Sequence, residues 1–173
     1  MPNTFELIAS STLGSSQTQI DFSSIPSTFT DLCLKLSLRT NKSSTVSDVY
    51  FQFNGSTGAN YSMRRLYGTG SAAGSDEITN GATGGFIGYG VGATATASTF
   101  SNTEVYIPNY LSSTAKSWSA DSVNENNATS ANSEIVAGLW SLTNAINQIT
   151  IKEYNGNSFV ANSTAYLYGV KNA

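Results

Sequence analysis

The chain reads as an all-β protein: an antiparallel β-sandwich of about ten strands with a jelly-roll-like path. Three observations carry that expectation. Apolar residues recur at every second position in short runs, the spacing that lines one face of a strand. The dipeptides Asn54-Gly55, Asn80-Gly81 and Asn155-Gly156 tolerate the positive φ of tight hairpins. The one helix-like spacing, Leu139, Leu142 and Ile146, lies between strand-like flanks and contains Asn144 and Asn147. It reads as strand, turn and strand, with at most one helical turn near 142–145.

Patterned segments fall, in order, near 4–11, 17–23, 29–39, 47–54, 60–67, 85–97, 102–108, 116–124, 133–142, 147–154 and 160–170, one more than the expected ten. The third is the clearest, with Leu32, Leu34, Leu36 and Leu38 on one face and Asp31, Cys33, Lys35 and Arg39 on the other. From Asp31 to Arg39 it extends roughly 30 Å, enough to cross a sheet. Its lone thiol, Cys33, would oxidise or cross-link on an open surface, so a neighbouring strand, loop or subunit is expected to cover it. Val49, Phe51 and Phe53 mark the fourth segment, and Val105 and Ile107 the one before Pro108. Ile149 and Ile151, then Tyr166, Tyr168 and Val170, mark the last two. Pro26 and Pro108 sit near strand boundaries, where a missing N–H is tolerated.

Residues 67–98 are rich in glycine and small polar residues, and the part near 68–92 is expected to be a long loop that contacts a partner. With no break in composition, 1–173 is expected to be a single β-sandwich domain.

Charged residues make up 11% of the chain, against about a quarter in ordinary soluble domains. Ser, Thr and Asn make up 64 of its 173 residues, so hydroxyls and amides cover the surface. A net charge of −3 supplies no long-range attraction to phosphate backbones, which argues against nucleic acid. No apolar run approaches the roughly 20 residues of a membrane helix, and the first residues lack the basic and apolar pattern of a secretory signal. Synthesis in a cytoplasm, without export, is therefore expected. One cysteine excludes an intrachain disulfide and a cysteine-only metal site.

The chain contains no histidine, which removes the commonest general base at neutral pH and every histidine-dependent triad. No acidic pair stands out as glycosidase-like, so no enzyme activity and no cofactor are expected. The run Gly88 to Gly92, "GYGVG", lacks the following helix that a phosphate loop needs, and reads as small residues for close backbone packing. Asp121, Asn124, Glu125 and Asn126 offer oxygen ligands without the spacing of a calcium loop, and read as a solvated turn. Five Asn-x-Ser/Thr sequons, at Asn41, Asn54, Asn60, Asn127 and Asn162, follow from composition alone.

Trp118, Trp140, Tyr106, Tyr110, Tyr166 and Tyr168 read first as core and cross-strand pairs. The alternative is an aromatic platform for sugars, with Asn and Asp side chains beside Trp118 or Trp140 bonding the hydroxyls. The candidate interaction surface comprises Arg64, Arg65, Asp76, Glu77, Tyr89, Tyr110, Trp118, Asp121, Asn124 and Glu125.

The blocks "SSIPST", "FQFNGS", "NYSMRRLYG", "TFSNTEVYIPNY" and "STAYLYGV", in this order, resemble a family of small virion structural proteins of tailed bacteriophages, especially marine ones. The resemblance spans most of the chain. It implies a non-enzymatic virion protein assembled in the host cytoplasm, most simply a capsid decoration or cement protein, with other virion proteins and copies of itself as partners. The alternative is a tail or fibre module that binds host-surface carbohydrate.

Overall fold

The structure is a computed structural model. It describes residues 4–128 and 130–171, with only the backbone of 78–81. Twelve strands make up the described chain: β1 (Phe5–Thr12), β2 (Gln19–Phe22), β3 (Asp31–Ser37), β4 (Val46–Phe53), β5 (Tyr61–Gly68), β6 (Ala73–Ala82), β7 (Gly85–Val91), β8 (Asn102–Ile107), β9 (Lys116–Val123), β10 (Ser133–Trp140), β11 (Ile149–Glu153) and β12 (Thr164–Val170). They form two antiparallel sheets packed as a sandwich, one ordered β1-β12-β3-β8-β9-β10-β5-β6 and the other β2-β11-β4-β7.

The two orders are the same ribbon seen twice. β1-β12-β3-β8 in the large sheet repeats as β2-β11-β4-β7 in the small one, because each chain segment runs along one sheet, turns a corner and continues in the other. Pairing persists through the corner. Gln17 and Phe159 exchange backbone bonds of 3.0 and 2.8 Å, and Thr40 N–H reaches Val91 O at 2.8 Å. This is the jelly-roll-like path, and it leaves few corner amides without a partner. At one edge β1 pairs with β12 from Phe5↔Val170 to Thr12↔Thr164, and Lys171 N–H donates to Thr4 O at 3.0 Å.

Leu32, Leu34, Leu36 and Leu38 are all buried, as their spacing requires. On the opposite face of β3, Asp31 and Cys33 are buried within the chain and Lys35 is exposed. Cys33 is fully buried between cross-strand partners Tyr106 and Tyr168, and burial pushes its thiol up to about 11, with Glu104 adding to the shift and Lys35 opposing it. Asp31 accepts bonds from Tyr106 Oη at 2.5 Å and Asn109 N–H at 2.7 Å, and Lys35 pairs with Glu104. Arg39 holds the segment after β7, donating to the carbonyls of Thr96, Thr99, Ala95 and Ala93 at 2.7 to 3.3 Å.

The sheets meet over an aromatic cluster. Phe51 lies 4.9 Å from Trp118, Phe53 5.4 Å from Trp140, and Tyr61 stacks on Trp140 at 6.3 Å. Gly138 is required here, because a Cβ on it would sit 2.0 Å from the Trp118 ring.

The long loop expected at 68–92 is corrected: it contains β6 and β7. "AGSDEITNGA" lacks apolar alternation but pairs with β5 from Tyr61↔Ala82 to Gly68↔Ala73, with a register shift between Tyr61 and Met63. Asn80 and Gly81 therefore lie within β6, and the chain leaves it through Thr83 and Gly84. Segment 142–145 contains no helical turn.

Candidate functional site

In β5, "YSMRRLYG", alternation turns Tyr61, Met63, Arg65 and Tyr67 toward the small sheet and leaves Arg64 and Leu66 on the outer face. Antiparallel pairing puts Asp76 opposite Arg65 and Glu77 opposite Arg64. On the other side of β5, β10 contributes Glu134 from the same inward set as Val136 and Trp140. The large sheet thus directs two buried charges inward where the small sheet ends at its edge strand β7.

Arg65 ties these elements together. Its Nη1 donates to Glu134 Oε2 at 3.0 Å and its Nη2 pairs with Asp76. Its guanidinium carbon lies 4.7, 5.0 and 5.2 Å from the ring centres of Tyr67, Tyr89 and Phe86, within cation–π range. The Arg65 side chain is 10% exposed and that of Glu134 1%, whereas Asp76 is half exposed. Glu134 Oε1 also accepts the Tyr89 N–H at 3.1 Å, joining β10 to β7. Burial raises the Glu134 carboxyl above its ordinary value, and Arg65 and the Tyr89 N–H reduce that rise without cancelling it.

Above this pair opens a cleft of about 480 Å³, within the size range of small-ligand sites. Asp48, Tyr50, Arg65, Asp76, Glu77, Phe86, Tyr89 and Tyr154 line it, with Met63, Ala82, Thr83 and Gly84. Tyr50 and Tyr154 meet edge to face at 6.0 Å on one rim, and Tyr154 is 69% exposed. Tyr50 packs on the backbone of Gly84, where a Cβ would lie 2.1 Å from its ring. Asp48 pairs with Lys42 at 2.8 Å, and Lys42 also lies 3.7 Å from the buried Glu153.

Four of the ten candidate residues, Arg65, Asp76, Glu77 and Tyr89, line this one cleft. Arg64 faces away, pairing with Glu77 at 2.7 Å beside a shallow outer groove that contains Leu66 and Ile135. The others are not part of either. Tyr110 is fully buried with its hydroxyl donating to Pro26 O, and Trp118 is 3% exposed, so neither is a surface residue. Trp140 is buried as well, so no indole is available to stack on a sugar. Asp121 is exposed on β9 opposite Ile135. Asn124 is buried and accepts the Asn132 N–H, closing the β9–β10 loop, and Glu125 accepts the Asn127 N–H at 2.8 Å. Asn126 bonds Ser130 O and Ala128 N–H, so this loop uses its side chains on itself. Among the described residues no group of three acidic, cysteine or histidine side chains is placed to hold a metal ion.

Sequence reasoning missed Asp48, Tyr50, Phe86, Glu134 and Tyr154. For Glu134 a signal existed: alternation back from Trp140 in "SEIVAGLW" points it inward.

No family model and no curated protein matches the chain. Among solved structures it is similar to the Caenorhabditis elegans galectin LEC-6, at 10% identity over 95% of both chains with a TM-score of 0.35. It is also similar to the Eiger TNF of S. frugiperda, at 6% identity over 84% of this chain and 62% of that one with a TM-score of 0.19.

Proposed function

We propose that the chain is a non-enzymatic recognition module of a bacteriophage virion whose cleft binds carbohydrate of the host surface. One observation carries this reading: tyrosine rings and carboxylates converge on a single open cleft at the edge of the small sheet. Sugars need both, flat apolar faces for their C–H surfaces and acceptors for their hydroxyls. The virion setting rests on the family resemblance of the sequence. Binding without hydrolysis is favoured because Asp48, Asp76 and Glu77 each have a cationic partner, in Lys42, Arg65 and Arg64. An ion-paired carboxylate is a poor proton donor.

A second reading, a head decoration protein, is favoured by a different surface. Leu66 and Ile135 are 63% and 65% exposed and face each other across β5 and β10, with Leu139 further along β10. Such a flat apolar patch suits burial against a shell protein or another copy of this chain.

Binding of the isolated chain to host-surface glycans, reduced at least tenfold by Tyr154→Ala with an unchanged Tm, is the outcome expected of the first reading. Imaging of labelled particles separates the two. Label confined to the tail supports the appendage, and a regular array over the head overturns it in favour of decoration.

A further inference from the structure

We infer that the cleft selects uncharged saccharides and rejects anionic ones, because Arg65, the one cation among its described lining residues, is already neutralised within the protein. This narrows the carbohydrate reading above and rests on it. Asp48, Asp76 and Glu77 line the cleft with Arg65, and the ion pairs around it hold five carboxylates, those three with the buried Glu134 and Glu153, against three cations, Lys42, Arg64 and Arg65, an excess of negative charge. Residues 78–81 in the adjoining strand are Ile, Thr, Asn and Gly and add no charge.

Arg65 offers little to an incoming anion. Asp76 and Glu134 each hold one of its terminal nitrogens, its Nε has no hydrogen-bond partner among the described residues but is itself buried out of reach, aromatic rings crowd the guanidinium, and nine-tenths of the side chain is buried. A ligand carboxylate or sulfate could bond it only by displacing Asp76 or by stripping Glu134, which is itself almost fully buried. A neutral hydroxyl faces no such conflict. The Asp48 and Asp76 side chains are 36% and 47% exposed, and their carboxylate oxygens accept hydrogen bonds from hydroxyl donors. Tyr154, the most exposed large side chain here, offers a face to the ring's C–H groups. The same carboxylates that hold a neutral sugar therefore repel a uronate or sulfated one.

The test is calorimetric titration of the full chain with neutral hexose oligosaccharides and with uronic-acid oligosaccharides of equal length. The expected result is at least tenfold tighter binding of the neutral series. Asp76→Asn combined with Asp48→Asn should weaken neutral binding and narrow that gap severalfold. Because a double variant can misfold, the same gap is also read on the unaltered protein between about 50 mM and about 500 mM salt, where screening of partly exposed charges should narrow it. Equal or tighter uronate binding overturns the selectivity and leaves the carbohydrate reading standing. Neutral binding that Tyr154→Ala leaves intact places the site elsewhere and overturns the inference. Binding of neither series overturns the carbohydrate reading itself.

Discussion

Replacing Gly138 by Ala sets local preference against packing with opposite signs. Alanine in a strand interior is favoured over glycine by about 0.5–1 kcal/mol, so local propensity alone predicts stabilisation. The structure predicts the reverse. The new methyl carbon would lie 2.0 Å from Trp118 Cζ2 and 2.1 Å from Cε2, far inside any real contact. The ring has little room to retreat, with Phe51 at 4.9 Å and Phe53 and Tyr61 at 6.2 and 6.3 Å. Overpacking of this kind costs about 1–3 kcal/mol, and the upper end applies because an indole rather than a flexible side chain must move. Subtracting the propensity gain leaves a net loss of about 2 kcal/mol, a fall in Tm of about 4–8 °C for a chain of this size. Thermal and urea unfolding of Gly138→Ala, Trp118→Leu and the double variant measure it. In the Trp118→Leu background the alanine should be neutral or stabilising, a coupling of about 2 kcal/mol. Gly14→Ala, with no atom within 4 Å of the added carbon, is the control. A Gly138→Ala protein as stable as the parent would refute the close-packing account of the sheet interface.

Three further outcomes are expected. Glu153 is buried, and burial acts to raise its carboxyl, but the N–H groups of Asn157 and Asn155 and the charge of Lys42 outweigh burial and hold it below its ordinary value. Its folded pKa is the lower one, so its stabilisation is present above about pH 4.3 and lost as pH falls through the folded value. Glu153→Gln should flatten that acid limb in unfolding measured against pH. Arg39→Ala removes the guanidinium bonds to the carbonyls of 93–99 and should speed amide hydrogen exchange there while β3 stays protected. Cys33 should react with a bulky thiol reagent only at the rate of unfolding, and rapid labelling of the native chain would show that Tyr106 and Tyr168 do not cover it.

The sheet-forming segments were legible wherever one face is apolar and the other polar. β3 is the model case, since four leucines at alternate positions leave no other inward face. β6 was illegible because its pattern is charge, not hydrophobicity. Asp76 and Glu77 make sense only once Arg65 and Arg64 stand opposite them, so cross-strand context overrides the weak strand propensity of "AGSDEITNGA". The cleft was half legible for a related reason. Arg65, Asp76, Glu77 and Tyr89 are close in the chain, and a region dense in charge and glycine drew attention to them. Tyr50 and Tyr154 meet only because β4 and β11 pair with Lys152 opposite Tyr50, a register that no local pattern announces. The first reading of Trp118 and Trp140 as core holds, since alternation with Ala120 and Val136 turns both inward, and only the placing of Trp118 on the candidate surface fails.

The pairing of β1 with β12 has a mechanical side. Thr4 and Lys171 sit together at one end of two antiparallel neighbours, so a pull applied at these residues opens the ladder like a zip, with one rung loaded at a time. Force applied instead at Thr12 and Val170, the far end of one strand and the near end of the other, loads every rung together in shear. Single-molecule pulling should give a lower rupture force for the first attachment than for the second. Where an anchor grips this β-sandwich would then decide whether it yields at its edge or resists.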